Sequence, residues 1–183
     1  MKRYNIALTC KHETQNTCLE QLSQTLDPNN TSVYTLGQNS LPHITLAQFD
    51  AHEKQITDIV SAIEKSQHKN STIYVSIAGM YYEDFHPVHE KYYYGLHVEK
   101  TTTLESLHEF VLSEILAPFK IETTLRRYGE TYAPHFTLGL KETPLDKNTF
   151  LHPALLDPLL PKIEMEIHIG LCESYGRLPH ILT

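Results

Sequence analysis

Apolar and polar residues recur along the chain with two different periods. Tyr4 to Thr9 alternates residue by residue and predicts a β-strand. Cys18, Leu19, Leu22 and Leu26 recur at helical spacing within Glu13 to Leu26, and Asp27-Pro28-Asn29-Asn30 ends that run. Ile44 to Phe49 reads as a short strand entered through Pro42. Lys54 to Gln67 carries Ile56, Ile59, Val60 and Ile63 on one helical face. Thr72 to Tyr82 alternates as a strand, Phe85-His86-Pro87-Val88 forms a turn, and Tyr92 to Glu99 is a further strand. Leu104 to Leu116 predicts a helix with Leu104, Leu107, His108, Val111, Leu112 and Ile115 on one stripe, capped by Thr102 or Thr103. Phe136 to Leu140 and Ile163 to Cys172 complete the strands, with a brief helix near Asp146 to Leu156.

Helices and strands alternate, but period-two strands with one polar face point to antiparallel sheets in an α+β fold. The order of elements also repeats. Strand, helix, loop and Pro42-His43-Ile44-Thr45-Leu46 form one unit, over about residues 4–49. Strand, helix, loop and Pro134-His135-Phe136-Thr137-Leu138 form a second, over about 93–140, and first strand to motif spans roughly forty residues in each. The expectation is a single bilobed domain over residues 1–183. Two pseudo-symmetric antiparallel-sheet lobes carry helices on the outside, and the two motifs face each other across a central groove.

Composition alone yields roughly one chance His-x-Thr in such a chain, and His12-Glu13-Thr14 is that copy. It has no proline before it and no leucine after it, and it sits at a helix start. The longer Pro-His-apolar-Thr-Leu pattern arises by chance on the order of a hundredth of a time, yet stands twice at matching places. On a strand, His and Thr two residues apart share a face, with Ile44 or Phe136 buried beneath. Two such pairs across a groove suit a phosphodiester without a metal. One imidazole removes a proton from the attacking water or hydroxyl, and the other protonates the leaving oxygen. The threonines donate hydrogen bonds to the non-bridging oxygens.

At these residues the sequence resembles the 2H phosphoesterase superfamily, which includes RNA 2′,3′-cyclic phosphodiesterases (2′-5′ RNA ligase-like proteins), plant-type cyclic phosphodiesterases and 2′,5′-phosphodiesterases. The resemblance covers essentially the whole chain and implies a bilobed α+β fold. It implies His43 and His135 as the catalytic pair, Thr45 and Thr137 as phosphate ligands, and no cofactor. Ile167 to Ile181 resembles the family's last strand and return hairpin. Leu46-Ala47-Gln48-Phe49-Asp50 replaces a Phe-Leu-Gly-like run, and Gly139-Leu140 precedes Lys141 where a basic residue often comes sooner. The superfamily therefore follows and the subfamily does not. Hydrolysis of a 2′,3′-cyclic phosphodiester in a nucleotide or RNA end is the leading expectation. Cleavage of 2′,5′-linked oligonucleotides, or nucleotide or RNA-end binding without turnover, are the alternatives.

Charge narrows the substrate. The formal net charge is −7 and the cations are scattered, so counterion release from a long polyanion is not expected. A small nucleotide or an RNA end is the expected partner. Tyr132, Tyr128 and Arg126 precede the second motif and are candidate substrate contacts, the tyrosines by stacking and Arg126 or Arg127 by a bidentate grip. Tyr81, Tyr82, Tyr92, Tyr93 and Tyr94 form a further aromatic cluster, of which alternation buries about half. His86 and His89, near Glu83, Asp84 and Glu90, raise a rival metal reading, but no second ligand cluster closes a shell, so no metal is expected. His97 and His168 read as ordinary strand residues and His108 as packed. No apolar run is long enough for a membrane span, and the N-terminal charge is followed by a strand rather than a signal peptide. The three cysteines lack Cys-x-x-Cys spacing and are odd in number, which favours a reducing cytoplasm. A monomer is expected.

Overall fold

A computed structural model describes residues 1–27, 29, 31–37, 39–84, 91–123, 132–145, 156, 159 and 162–182, the side chains of Glu83 and Asp84 excepted. The elements in chain order are β1 (Lys2–Cys10), α1 (Glu13–Leu26), β2 (Tyr34–Thr35), β3 (His43–Ala51) and α2 (Glu53–Lys65). They continue with β4 (Ile73–Val75), β5 (Ile77–Asp84), β6 (Tyr92–Val98), α3 (Thr102–Phe110), β7 (His135–Lys141) and β8 (Ile163–Leu171). The fold is α+β. All described strand pairs are antiparallel, in the order β4-β8-β1-β3-β7-β6-β5, and β2 pairs with β7 off that path.

The predicted strand from Thr72 to Tyr82 breaks at Ser76 into β4 and β5, which lie at opposite ends of the sheet order. Laid flat, seven strands in that order would hold the two edges about 29 Å apart. Yet only Ser76 separates β4 from β5, so Val75 and Ile77 lie within about 7 Å of each other. The sheet must therefore curl until its edges meet, with the Ser76 carbonyl accepting the Glu99 N–H at 2.9 Å close to that seam.

One face of the sheet carries the core. Leu19, Leu22 and Leu26 of α1, Ile56, Ile59 and Ile63 of α2, and Leu104 and Leu107 of α3 join Ile6, Leu8, Ile44, Leu46, Phe136 and Leu138 in one connected cluster. The helices thus cover the face that period-two alternation assigns to the apolar residues. The cap of α3 is Thr101, whose Oγ1 accepts the Leu104 N–H at 3.3 Å, and not Thr102 or Thr103. Thr101 is still extended, so its oxygen can turn back to the third N–H on, whereas Thr102 and Thr103 already lie in the helix. The predicted helix to Leu116 continues past Phe110 with π-type bonding over Val111–Leu116, where Ala117 N–H donates to the Leu112 carbonyl. The widened turn keeps Val111, Leu112, Ile115 and Leu116 buried. The brief helix expected near Asp146 to Leu156 falls almost wholly outside the described residues. Cys10, Cys18 and Cys172 are free thiols.

A buried ion pair ties the end of α1 to β7. Lys141 Nζ donates to Asp27 Oδ1 at 2.9 Å, and the Asp27 side chain has no solvent exposure. The Thr31 N–H and hydroxyl also donate to Oδ1, and the Ser32 N–H donates to Oδ2 at 2.7 Å. Burial alone would raise the Asp27 pKa; Lys141, Ser32 and Thr31 outweigh it and hold the carboxyl well below its ordinary value. Lys141→Met should lower stability by about 3 kcal/mol, because it leaves an unpaired buried carboxylate, and the check is a lower urea midpoint at unchanged slope. Since the folded pKa is depressed, this contribution is present above the ordinary value of 3.8 and fades as pH falls below it. Asp27→Asn should flatten that acid limb.

Candidate active site

Each motif histidine opens a strand directly after its proline, and each is held by the same local bond. The Nδ1–H of His43 donates to the Leu41 carbonyl at 2.7 Å, and that of His135 to the Ala133 carbonyl at 2.8 Å. A carbonyl only accepts, so Nδ1 must carry the proton, and Nε2 is left as the basic nitrogen on both rings. The loops that present them are tied down as well: Leu41 N–H donates to the Leu178 carbonyl, and Val98 N–H to the Pro134 carbonyl.

The strands β3 and β7 meet through one registered pair, Ile44 opposite Phe136. Antiparallel pairing carried one residue either way sets His43 against Thr137 and Thr45 against His135. The two histidines therefore lie diagonally, with a threonine beside each on the neighbouring strand. Beneath them a fully apolar ladder crosses the sheet from Ile167 through Leu8, Ile44, Phe136 and Leu96 to Met80. The two halves also share an irregularity. The β1–β3 register shifts between Ile6 and Ala7, so Leu46 is the extra residue; the β6–β7 register shifts between Tyr94 and Gly95, so Leu138 is. The leucine that ends each Pro-His-x-Thr-Leu motif is thus a bulge residue, fully buried in both copies.

The neighbours of the two motifs differ. On the first side Thr9 lies across from His43 and Ala7 across from Thr45. Asn5 Nδ2 donates to Thr45 Oγ1 at 3.0 Å. On the second side His97 lies across from His135, and Gly95 across from Thr137. The bare Gly95 lets the Tyr81 ring lie over it, since a Cβ there would come 2.7 Å from the ring. Tyr81 thereby spans from β5 to Thr137, their hydroxyls 3.2 Å apart, and packs edge-on to His135 at 5.5 Å. Tyr34 on β2 lies near Thr137 as well, and burial pushes its pKa well above the ordinary value.

Burial lowers the pKa of His43, and the charge of His135 lowers it further, while the Leu41 and Gly176 carbonyls pull the other way. His43 is half-buried and His135 exposed. The arrangement offers two imidazole nitrogens for proton transfer and two hydroxyls for hydrogen bonds to an anion. Among the described residues no three His, Cys, Asp or Glu side chains converge so as to hold a metal ion.

The family profile of the 2′-5′ RNA ligase superfamily matches residues 11–168, which include both motifs. The chain belongs to that superfamily. Membership makes it an enzyme family member acting on phosphodiester bonds, as the resemblance to the 2H phosphoesterases implies. The crystal structure of TT0787 of Thermus thermophilus aligns at a TM-score of 0.62 and 13% identity, over 99% of this chain and 95% of that one, a likeness of fold. No curated protein sequence matches significantly.

Of the residues expected at the site of this superfamily member, His43, Thr45, His135 and Thr137 come together on one face. Tyr132 does not join them. Its ring stacks on His108 of α3 at 4.2 Å, His108 Nδ1–H donates to the Leu46 carbonyl, and the buried Tyr132 hydroxyl has no hydrogen-bond partner among the described residues. That places Tyr132 on the helix side of the sheet. Tyr128, Arg126, Arg127, His86 and His89 lie outside the described residues. His12, of the third His-x-Thr, stands just before α1 without a side-chain cap bond, its Nε2 3.2 Å from Glu164. His168 pairs with Glu166 on β8. Among the described residues no helix is long and apolar enough to cross a membrane. Asn5, Tyr34 and Gly95 were missed, and Tyr81 was not separated from its tyrosine neighbours. Their signal, a polar or bare position facing the motif strand, appears only once the register is known.

NMR of ring-labelled histidines should find both His43 and His135 as the Nδ1–H tautomer. His43 should titrate below its ordinary value of 6.5, staying neutral at a pH where a solvated histidine has begun to protonate. A His43 midpoint at or above that value would contradict the burial argument.

Proposed function

We propose that this protein hydrolyses a 2′,3′-cyclic phosphodiester, in a nucleotide or at an RNA end, by acid/base catalysis between His43 and His135 without a metal. The observation that carries the reading is the repeated Nδ1 bond to a backbone carbonyl, which leaves both Nε2 atoms basic beside a common polar face. His43, kept neutral by burial, takes the proton of the attacking water as its oxygen bonds to phosphorus. The bond from phosphorus to one ribose oxygen breaks, and His135 in its protonated form supplies the proton that oxygen needs. The product is a phosphomonoester beside a free ribose hydroxyl. Thr45 and Thr137 donate to the non-bridging oxygens, whose charge grows in the transition state. The net charge of −7 favours a small substrate or a strand end over a long nucleic acid.

The test is turnover of a panel of nucleoside 2′,3′-cyclic monophosphates in excess EDTA. Wild type should be active, and His43→Ala and His135→Ala should each lose on the order of a thousandfold in kcat/KM. The acid limb of the profile should lie below pH 6.5, since a base with a lowered pKa is lost only on further acidification. Activity abolished by the chelator would reject the metal-free mechanism. Turnover of 2′,5′-linked oligomers alone would change the substrate and keep the site. Binding without any turnover would make the groove a recognition module.

A further inference from the structure

Thr45 and Thr137 occupy equivalent places in the two motifs, but the groups that hold them are not equivalent as hydrogen-bond partners. Asn5 on β1 is fully buried. Its Nδ2 donates to Thr45 Oγ1 at 3.0 Å, while its Oδ1 is closed off from solvent and has no hydrogen-bond partner among the described residues. An amide NH2 can only donate, so Thr45 Oγ1 must accept, and its own hydrogen is left for another acceptor. Thr137 instead bonds the phenol hydroxyl of Tyr81, which can either donate or accept.

Burying an amide with an orphaned carbonyl is unfavourable, and an apolar side chain at this strand position would carry no such penalty. Ala7, two residues on and on the same face of β1, is fully buried and apolar. Among the described residues, what the Asn5 side chain gains is its bond to Thr45.

We propose that Asn5 is a positioning residue for anion binding: it holds Thr45 as a one-way donor whose hydroxyl hydrogen points to the groove. The first motif is then the fixed donor to a non-bridging phosphate oxygen. The second, on its reversible bond to Tyr81, can donate to a non-bridging oxygen as well, and can also accept from an oxygen that carries a hydrogen, such as the attacking water or a ribose hydroxyl. This deepens, and rests on, the reading of the groove as a phosphodiester site.

The experiment compares full-length wild type with Asn5→Leu, Asn5→Asp, Thr45→Val and the Asn5→Leu/Thr45→Val double variant. It reads kcat and KM on the phosphodiester turned over, the dissociation constant for inorganic phosphate by NMR titration, and the melting temperature. Asn5→Leu should lower kcat/KM and weaken phosphate binding about tenfold, with a melting temperature equal to wild type or higher. A merely structural role would lower stability together with activity. Asn5→Asp, nearly isosteric but only an acceptor when ionised, should be at least as impaired, because Thr45 would then donate to it. In the double variant the Asn5 substitution should add nothing to the loss from Thr45→Val. Additive losses, a wild-type Asn5→Asp, or an Asn5→Leu within about twofold of wild type would each overturn the proposal. Absence of phosphodiester turnover by wild type would reject the functional reading, and phosphate affinity alone would then decide: about tenfold weaker binding in Asn5→Leu upholds the role, and unchanged or undetectable binding in all proteins overturns it.

Discussion

The pairing of Ile44 with Phe136 is the constraint on which the rest of the site depends. It is the registered contact between β3 and β7, and so the joint between the two halves of the sheet. Both side chains are fully buried in the helix-covered core, and burying such residues stabilises by roughly 2–3 kcal/mol each. Because strand side chains alternate, anchoring these two inward turns His43, Thr45, His135 and Thr137 outward. A slip of one residue would turn all four toward the helices and move the apolar pair to the opposite face. The site is therefore set by the same register that closes the core.

Around that joint the backbone is more symmetric than the side chains. Each half has the same histidine bond to the carbonyl two residues back, the same buried leucine bulge after the threonine, and the same antiparallel partner strand. The flanking residues break the symmetry: Thr9 and Asn5 on one side, His97 and Tyr81 on the other. On the proposed mechanism, a proton-transfer site with two identical halves would have no preferred direction. Different burial of the two histidines, and different partners for the two threonines, supply one.

The curl of the sheet links these halves a second time. With one residue between β4 and β5, the far edges are covalently joined, which leaves little freedom for the halves to separate. The Asp27–Lys141 pair adds a third tie, from the end of α1 to the last residue of β7. If the two histidines act as proposed, such ties matter, since small errors in placement are costly to proton transfer.

Much was legible from the residues alone: the α+β pattern, most helices and strands, and the His and Thr of each motif sharing a face, because these rest on local periodicity and on a motif written twice. The chain by itself determined which side chains share a face within one strand, a matter of backbone geometry. It did not determine which strand lies beside which. The break at Ser76, the crossing of Tyr81 over Gly95, the bond from Asn5 to Thr45 and the placement of Tyr132 against His108 all join residues distant in sequence. Local propensity carries no information on such pairings, because their energy appears only when a register is chosen for the whole sheet. Tertiary structure decided them by packing the apolar ladder first, and the polar partners of the site followed from where that ladder put their strands.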